Sequence, residues 1–214
     1  RDGNLTCPTG FGIQLAESAQ ATVKSQASLT DLRTALFADD NSKATLISVQ
    51  ISKNNPVGCF TSSSLIGHNA ASITIENGTI ISTGSGPAIG IDTDGSVNLT
   101  LKNTTISGHT ERGVSLTKNE KVIIDGGLIR GNKIGINASA DETHRPSATI
   151  TNVTIVENQV GIHVDSTLFA SLPSKLRNSQ ITGNGIGIEV GSAPQGTCFL
   201  ECFDLGTATD PGGN

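Results

Sequence analysis

The sequence predicts an all-β solenoid, short parallel strands wound coil upon coil around a thin aliphatic core. Three observations carry this expectation. The phrase "IRGNKIGINA" at residues 129–138 returns as "IVENQVGIHV" at 155–164 and as "ITGNGIGIEV" at 181–190, and a fixed period of about 20–50 residues marks a repeat architecture. Within each repeat apolar residues alternate with polar ones, which is the period of a strand and not of a helix. The 214 residues include 25 Gly and six Phe but no Trp, Tyr or Met, so the interior must be filled mainly by aliphatic side chains.

Each element follows from the register. With Ile80, Ile106, Ile129, Ile155 and Ile181 as anchors, the spacings are 26, 23, 26 and 26 residues. Seven before the anchor stand Ile73, Leu99, Val122, Ala148 and Ser174; five before it stand Ile75, Leu101, Ile124, Ile150 and Leu176. Three before it come Asn77, Asn103, Gly126, Asn152 and Asn178, residue types that tolerate the left-handed backbone of a sharp bend. After the anchor a Gly-aliphatic pair recurs: Gly90-Ile91, Gly113-Val114, Gly135-Ile136, Gly161-Ile162 and Gly187-Ile188. Its aliphatic residues are expected to point inward and its Gly to make a corner. One repeat is therefore strand, Asn/Gly bend, strand, loop, strand. Strands this short bury no face alone, but stacked about 4.8 Å apart they share one interior and pair in parallel.

These aliphatic columns and Asn stacks, over about residues 65–192, resemble those of the right-handed parallel β-helix (pectate-lyase-like) superfamily. The resemblance implies a right-handed, single-stranded parallel β-helix of about five to seven coils. It implies no one activity, because the architecture serves lyases, hydrolases, adhesins and phage fibres alike.

A solenoid exposes an apolar cross-section at each end. "SLTDLRTALFADD" at residues 28–40 sets Ser28 and Asp31 in capping-box spacing, with Leu32, Ala35 and Leu36 on one face, and this predicts a short helical cap over the N-terminal end. "ATLISVQIS" at 44–52 alternates as an early strand, and "CFLECFDLG" at 198–206 sets Phe beside Cys as a plug would. The division expected is a cap region at 1–43, coils at 44–192 and a C-terminal cap or tail at 193–214. Opening on Arg1 and closing on "DPGGN", the chain reads as a processed or cut piece. Cys7, Cys59, Cys198 and Cys202 are even in number, compatible with disulfides in an oxidising compartment and with three connectivities. Caps about 25 Å apart favour the local pairs Cys7–Cys59 and Cys198–Cys202. Zinc is the rival use of these thiols, but no His stands close to either pair.

The net charge of −5 comes from 14 basic and 19 acidic residues scattered along the chain. Without a basic stripe or aromatic stacking platforms, nucleic-acid binding is disfavoured. No apolar run approaches the roughly 20 residues that cross a bilayer.

Two outward columns follow from the same register. Glu76, Lys102, Asp125, Thr151 and Arg177 begin with alternating charge, which suits cross-strand pairing. Asp92, Ser115, Asn137, His163 and Glu189 form a polar row suited to binding a sugar. His163 has Asp165, two residues on, as its expected orienting carboxylate. "DTDG" at 92–95 offers Asp92 and Asp94 in the opening spacing of a calcium loop, although the pattern is equally that of a turn. The loop "ADETHRPSA" at 139–147 gathers Asp141, Glu142, His144 and Arg145 and is the densest titratable cluster in the chain.

"SGHTERG" at 107–113 places His109 where neighbouring repeats have Asn132, Asn158 and Asn184, so His109 is expected to join a structural stack. This segment resembles the His turn of pectin-degrading hydrolases. Their Asn-Thr-Asp and paired-Asp motifs are replaced by "NTT" at 103–105 and "DGG" at 125–127, which leaves the acid and base of glycoside hydrolysis without counterparts. Six N-x-[ST] matches, at Asn4, Asn77, Asn98, Asn103, Asn137 and Asn152, fall in a chain rich in those residue types. Asn77, Asn103 and Asn152 are expected to have their side chains occupied internally.

The function expected is a secreted, periplasmic or cell-surface module that binds a glycan or an extracellular protein without catalysis. A small polysaccharide lyase or hydrolase, with a cleft between loops 82–89 and 139–147, is the alternative. A structural spacer or fibre segment is the third reading.

Overall fold

The computed structural model describes residues 10–30, 32–52, 63–82, 88–140, 146–166, 174–191 and 203–204. Among them every regular element is a β-strand and every pairing is parallel. The first face of the solenoid stacks eight strands in the order Phe11–Leu15, Thr34–Ala38, Ser63–Asn69, Ile89–Gly95, Arg112–Leu116, Ile134–Ala140, Val160–Ser166 and Ile186–Val190. A second face begins at Gln20–Val23 and Lys43–Ile47, and a third at Ser28–Thr30 and Gln50–Ser52. The long strands Asn98–Ser107 and Lys121–Arg130 run continuously from the second face into the third.

The interior is made of aliphatic columns one side chain wide. Leu29, Ile51, Ile80, Ile106, Ile129, Ile155 and Ile181 are successive register partners, and the five inner members are buried. Leu36, Leu65, Ile91, Val114, Ile136 and Ile162 make the corresponding column on the first face, each fully buried or nearly so. Its final member, Ile188, is 38% exposed because no further first-face strand among the described residues covers it.

The bend between second and third faces is made as expected. Asn77, Asn103, Gly126, Asn152 and Asn178 have φ of 51, 46, 71, 57 and 50°. The Asn side chains are exposed rather than occupied internally; Asn152 Nδ2 donates to Asp125 Oδ1 at 2.8 Å on the surface. These Asn residues are selected by backbone conformation, not by an internal amide stack.

Three further expectations are corrected. The described residues of 28–40 form no helix: Ser28–Thr30 and Thr34–Ala38 are strands. Leu36 pairs in register with Ile13 on one side and Leu65 on the other, so parallel partners on both sides override the local helical pattern. The alternating stretch at 44–52 is two strands, broken at Ser48, whose φ is 55°. The repeated Gly is not a corner made by backbone freedom either. Gly90, Gly113, Gly135 and Gly161 are absent from the positive-φ residues, and a Cβ on any of them would lie 2.5–2.6 Å from the carbonyl oxygen of the glycine in the next rung. Close approach of stacked backbones selects glycine there.

Candidate functional site

Strand alternation and parallel register together build one long outward row on the first face. It runs Gln14, Phe37, Ile66, Asp92, Ser115, Asn137, His163, Glu189, each a register partner of the next. At about 4.8 Å per rung, Asp92 and Glu189 stand some 19 Å apart. The five polar residues expected from the sequence thus fall in one line, and the row continues upstream into apolar side chains that sequence reasoning missed. Phe11 and Phe37 have ring centroids 5.5 Å apart, the His68 ring stands edge-on to Phe37 at 5.3 Å, and the Arg33 guanidinium lies over Phe11 at 5.5 Å.

The polar part consists of two hydrogen-bonded groups. In the first, Ser63 Oγ donates to Asp92 Oδ2 at 3.3 Å, Ser115 also bonds the Asp92 carboxylate, and Arg112 Nη1 donates to Ser115 Oγ at 3.4 Å. Burial pushes the Asp92 carboxyl above the ordinary carboxylate value, against the opposing pull of the Ser63 bond, Arg112, Ser115 and His68. In the second, the Nδ1–H of His163 donates to Asn137 Oδ1 at 2.8 Å while its Nε2 faces Glu189 Oε2 at 3.7 Å. Asn137 Oδ1, as a carbonyl oxygen, can only accept, which assigns that proton to Nδ1. The carboxylate facing His163 therefore comes from the next rung. The side chain of Asp165, expected in that role, lies outside the described residues.

Ser115 and Asn137 are buried although they face outward. Their place is to hold Asp92, Arg112 and His163, and the accessible members of the row are Gln14, Phe37, Ile66, Asp92, His163 and Glu189.

"DTDG" forms the end of strand Ile89–Gly95 rather than an isolated turn. Asp92 and Asp94 share its outward side, and Asp94 Oδ1 is held by Lys118 Nζ at 2.7 Å. Among the described residues no three His, Cys, Asp or Glu side chains gather as a metal site would require.

Beside this, Glu120 is buried and receives the backbone N–H groups of Thr117 and Lys118 at 3.3 and 2.7 Å, closing the turn that leads to Lys121. Burial raises its carboxyl, against those backbone hydrogen bonds. The charged column on the second face also lines up. Lys102 and Glu76 pair at 2.9 Å, and Thr151 donates to Asp125 at 3.0 Å. Both groups lie on the open surface, where such pairs contribute little.

Residues 34–202 match the family described as "Right handed beta helix region". The chain belongs to that family. No curated protein and no solved structure gives a significant match.

In this right-handed β-helix the corner between third and first faces is an internal ladder. Asn158 Nδ2 donates to Asn184 Oδ1 at 2.9 Å and to Ile129 O at 3.1 Å, and Asn158 Oδ1 accepts from the backbone N and Nδ2 of Asn132, both at 3.0 Å. His109 takes the next rung, buried, with its backbone N–H donating to Asn132 Oδ1 at 3.0 Å. It occupies the buried ladder position that its replacement of an Asn implied. Asp141, Glu142, His144 and Arg145 lie outside the described residues of the β-helix, as do Cys7, Cys59, Cys198 and Cys202 and most of the loop at 82–89.

Proposed function

We propose that this β-helix is a non-catalytic glycan-binding module of an exported or cell-surface protein, and that the outward row of the first face is its binding strip. One observation carries the reading: aromatic and hydrogen-bonding side chains stand in a single line, one per rung. Sugar rings present apolar faces and hydroxyl edges, so an extended chain laid along the rungs meets Phe37 and Ile66 with its faces and Asp92, His163 and Glu189 with its hydroxyls. The rigid rungs fix these groups before binding, which limits the ordering cost.

The test is retention on immobilised polysaccharides, followed by calorimetry with Phe37→Ala, His163→Ala and Glu189→Ala. Each substitution is expected to weaken binding about tenfold, near 1.4 kcal/mol. Retention on no glycan, or affinities indifferent to all three, sinks the reading.

A second reading, a small glycoside hydrolase, is favoured by one pair. Asp92 has its carboxyl raised by burial, while Asp94, two residues along the same side of the strand, is ion-paired with Lys118. Environments that differ in this way separate a general acid from a general base. New reducing ends from a polysaccharide panel, abolished by Asp92→Asn, would put this reading ahead of the first.

A further inference from the structure

The fold sorts the N-x-[ST] matches by exposure. Asn137 is 5% exposed and its Oδ1 accepts from His163 Nδ1–H at 2.8 Å, so it has no room for a substituent while the first-face strip is intact. Asn4 lies outside the described residues. Asn98 is exposed but opens a strand between Ser72 and Lys121, where a substituent would lie across the second face. Asn77, Asn103 and Asn152 are placed differently. Each is exposed on the left-handed bend between second and third faces, with φ of 51, 46 and 57°, a corner that does not border the first face. The fold uses their backbone: the N–H groups of Asn77 and Asn152 donate to Lys102 O at 2.9 Å and Arg177 O at 3.1 Å on the next rung. Asn152 Nδ2 also donates to Asp125, but on the open surface, where water replaces such a bond at little cost.

The bend and the acceptor motif are separable. The bend needs a residue that tolerates left-handed backbone; it does not need a hydroxyl two positions on. Leu128 holds that outward place after Gly126, and Gln180 holds it after Asn178. Thr79, Thr105 and Thr154 hold it after Asn77, Asn103 and Asn152, in the same register row. An exposed Asn followed two residues on by Thr is the acceptor of an N-linked oligosaccharide in an exported chain.

Resting on the exported location in the reading above, we infer that Asn77, Asn103 and Asn152 are N-glycosylation acceptors and that Asn137 is not. In the transfer, Nδ2 of the Asn carboxamide forms a bond to C1 of an oligosaccharide carried on a lipid pyrophosphate. The bond from C1 to the phosphate oxygen breaks, the lipid pyrophosphate leaves, and one amide proton passes to a base of the host's transferase. The glycans cover the edge between second and third faces and leave the first-face strip bare.

The whole chain is secreted from a eukaryotic expression host as the parent, as Thr79→Ala, Thr105→Ala and Thr154→Ala, and as the triple variant. Release with peptide N-glycosidase in heavy-oxygen water marks each Asn that carried a glycan and separates it from spontaneous deamidation. The result expected is label at the three bend asparagines of a secreted, cooperatively melting chain, lost from one Asn in each single variant, and none at Asn137. Absence of label from the bend, or label at Asn137 in that folded material, overturns the inference. So does a parent retained in the cell while the triple variant is secreted, since glycans at the corner would then obstruct the fold. Retention on polysaccharides is measured on the same material before and after release. Its absence in both forms would strike the glycan-binding strip and leave the acceptor sites standing.

Discussion

Gly135 and Gly187 hold the same place in the repeated phrase, yet a methyl group added to each meets different surroundings. On Gly135 it would lie 2.5 Å from the Gly161 carbonyl oxygen, an atom fixed by the next rung; on Gly187 the nearest described atom is Ile181 Cγ2 at 3.7 Å. Gly135→Ala is therefore expected to cost about 1–3 kcal/mol and Gly187→Ala less than about 0.5 kcal/mol, read from urea unfolding midpoints. Equal costs would return the glycines to a purely conformational role. Asp92 gives a second test at this scale. Its carboxyl is raised in the folded state, so its contribution to stability is complete below the unfolded value, about 3.9. That contribution is lost as pH rises through the raised folded value. Asp92→Asn removes the charge for which burial is costly. It is expected to raise the melting temperature at pH 7, by roughly 2–4 °C per kcal/mol in a domain of this size. The advantage should vanish below about pH 4. A variant less stable than the parent at pH 7 would mean that the hydrogen bonds from Ser63 and Ser115 outweigh the burial of the charge.

The Asn corner operates as an element, because each side chain satisfies groups of two other rungs. Removing Asn158 leaves the Ile129 carbonyl and the Asn132 backbone N–H without their bonds in a buried place. Asn158→Ala is expected to cost about 2–3 kcal/mol, while Asn184→Ala, at the more exposed end of the ladder, should cost less. Chemical denaturation of both variants decides this, and equal small losses would reduce the ladder to surface decoration. The ladder was legible in sequence as Asn132, Asn158 and Asn184 at a fixed spacing. The exposed Asn bend at 77, 103, 152 and 178 was legible in position but not in cause, since a side chain chosen for φ and one chosen for hydrogen bonding leave the same letter. The N-terminal strands were harder to read. Ser25, Gln26 and Ser48 adopt the left-handed bend without an Asn or Gly to announce it, and Thr34–Ala38 carries a helical spacing that two parallel partners override.

Over the whole molecule, stacking converts a period in sequence into straight lines in space. A residue repeated every 23 or 26 positions becomes a neighbour about 4.8 Å away. This is why His163 faces the carboxylate of Glu189, 26 residues on in the sequence. It also divides the first face into an aromatic end and a polar end. The only large aliphatic side chains left exposed among the described residues are Ile123 on the second face and Ile186 and Ile188 on the last first-face strand.

What the sequence determined by itself was the all-β repeat, the inward aliphatic columns, the left-handed bends and the membership of the outward polar row. Period and alternation alone specify which residues share a line. What only the tertiary structure decided was which members of that line are covered, which hydrogen-bond to one another, and why each recurring glycine is a glycine. Those depend on distances between rungs of different lengths and on the partners waiting beside residues 28–40. A repeat pattern records that two residues are neighbours. It does not record how much room lies between them.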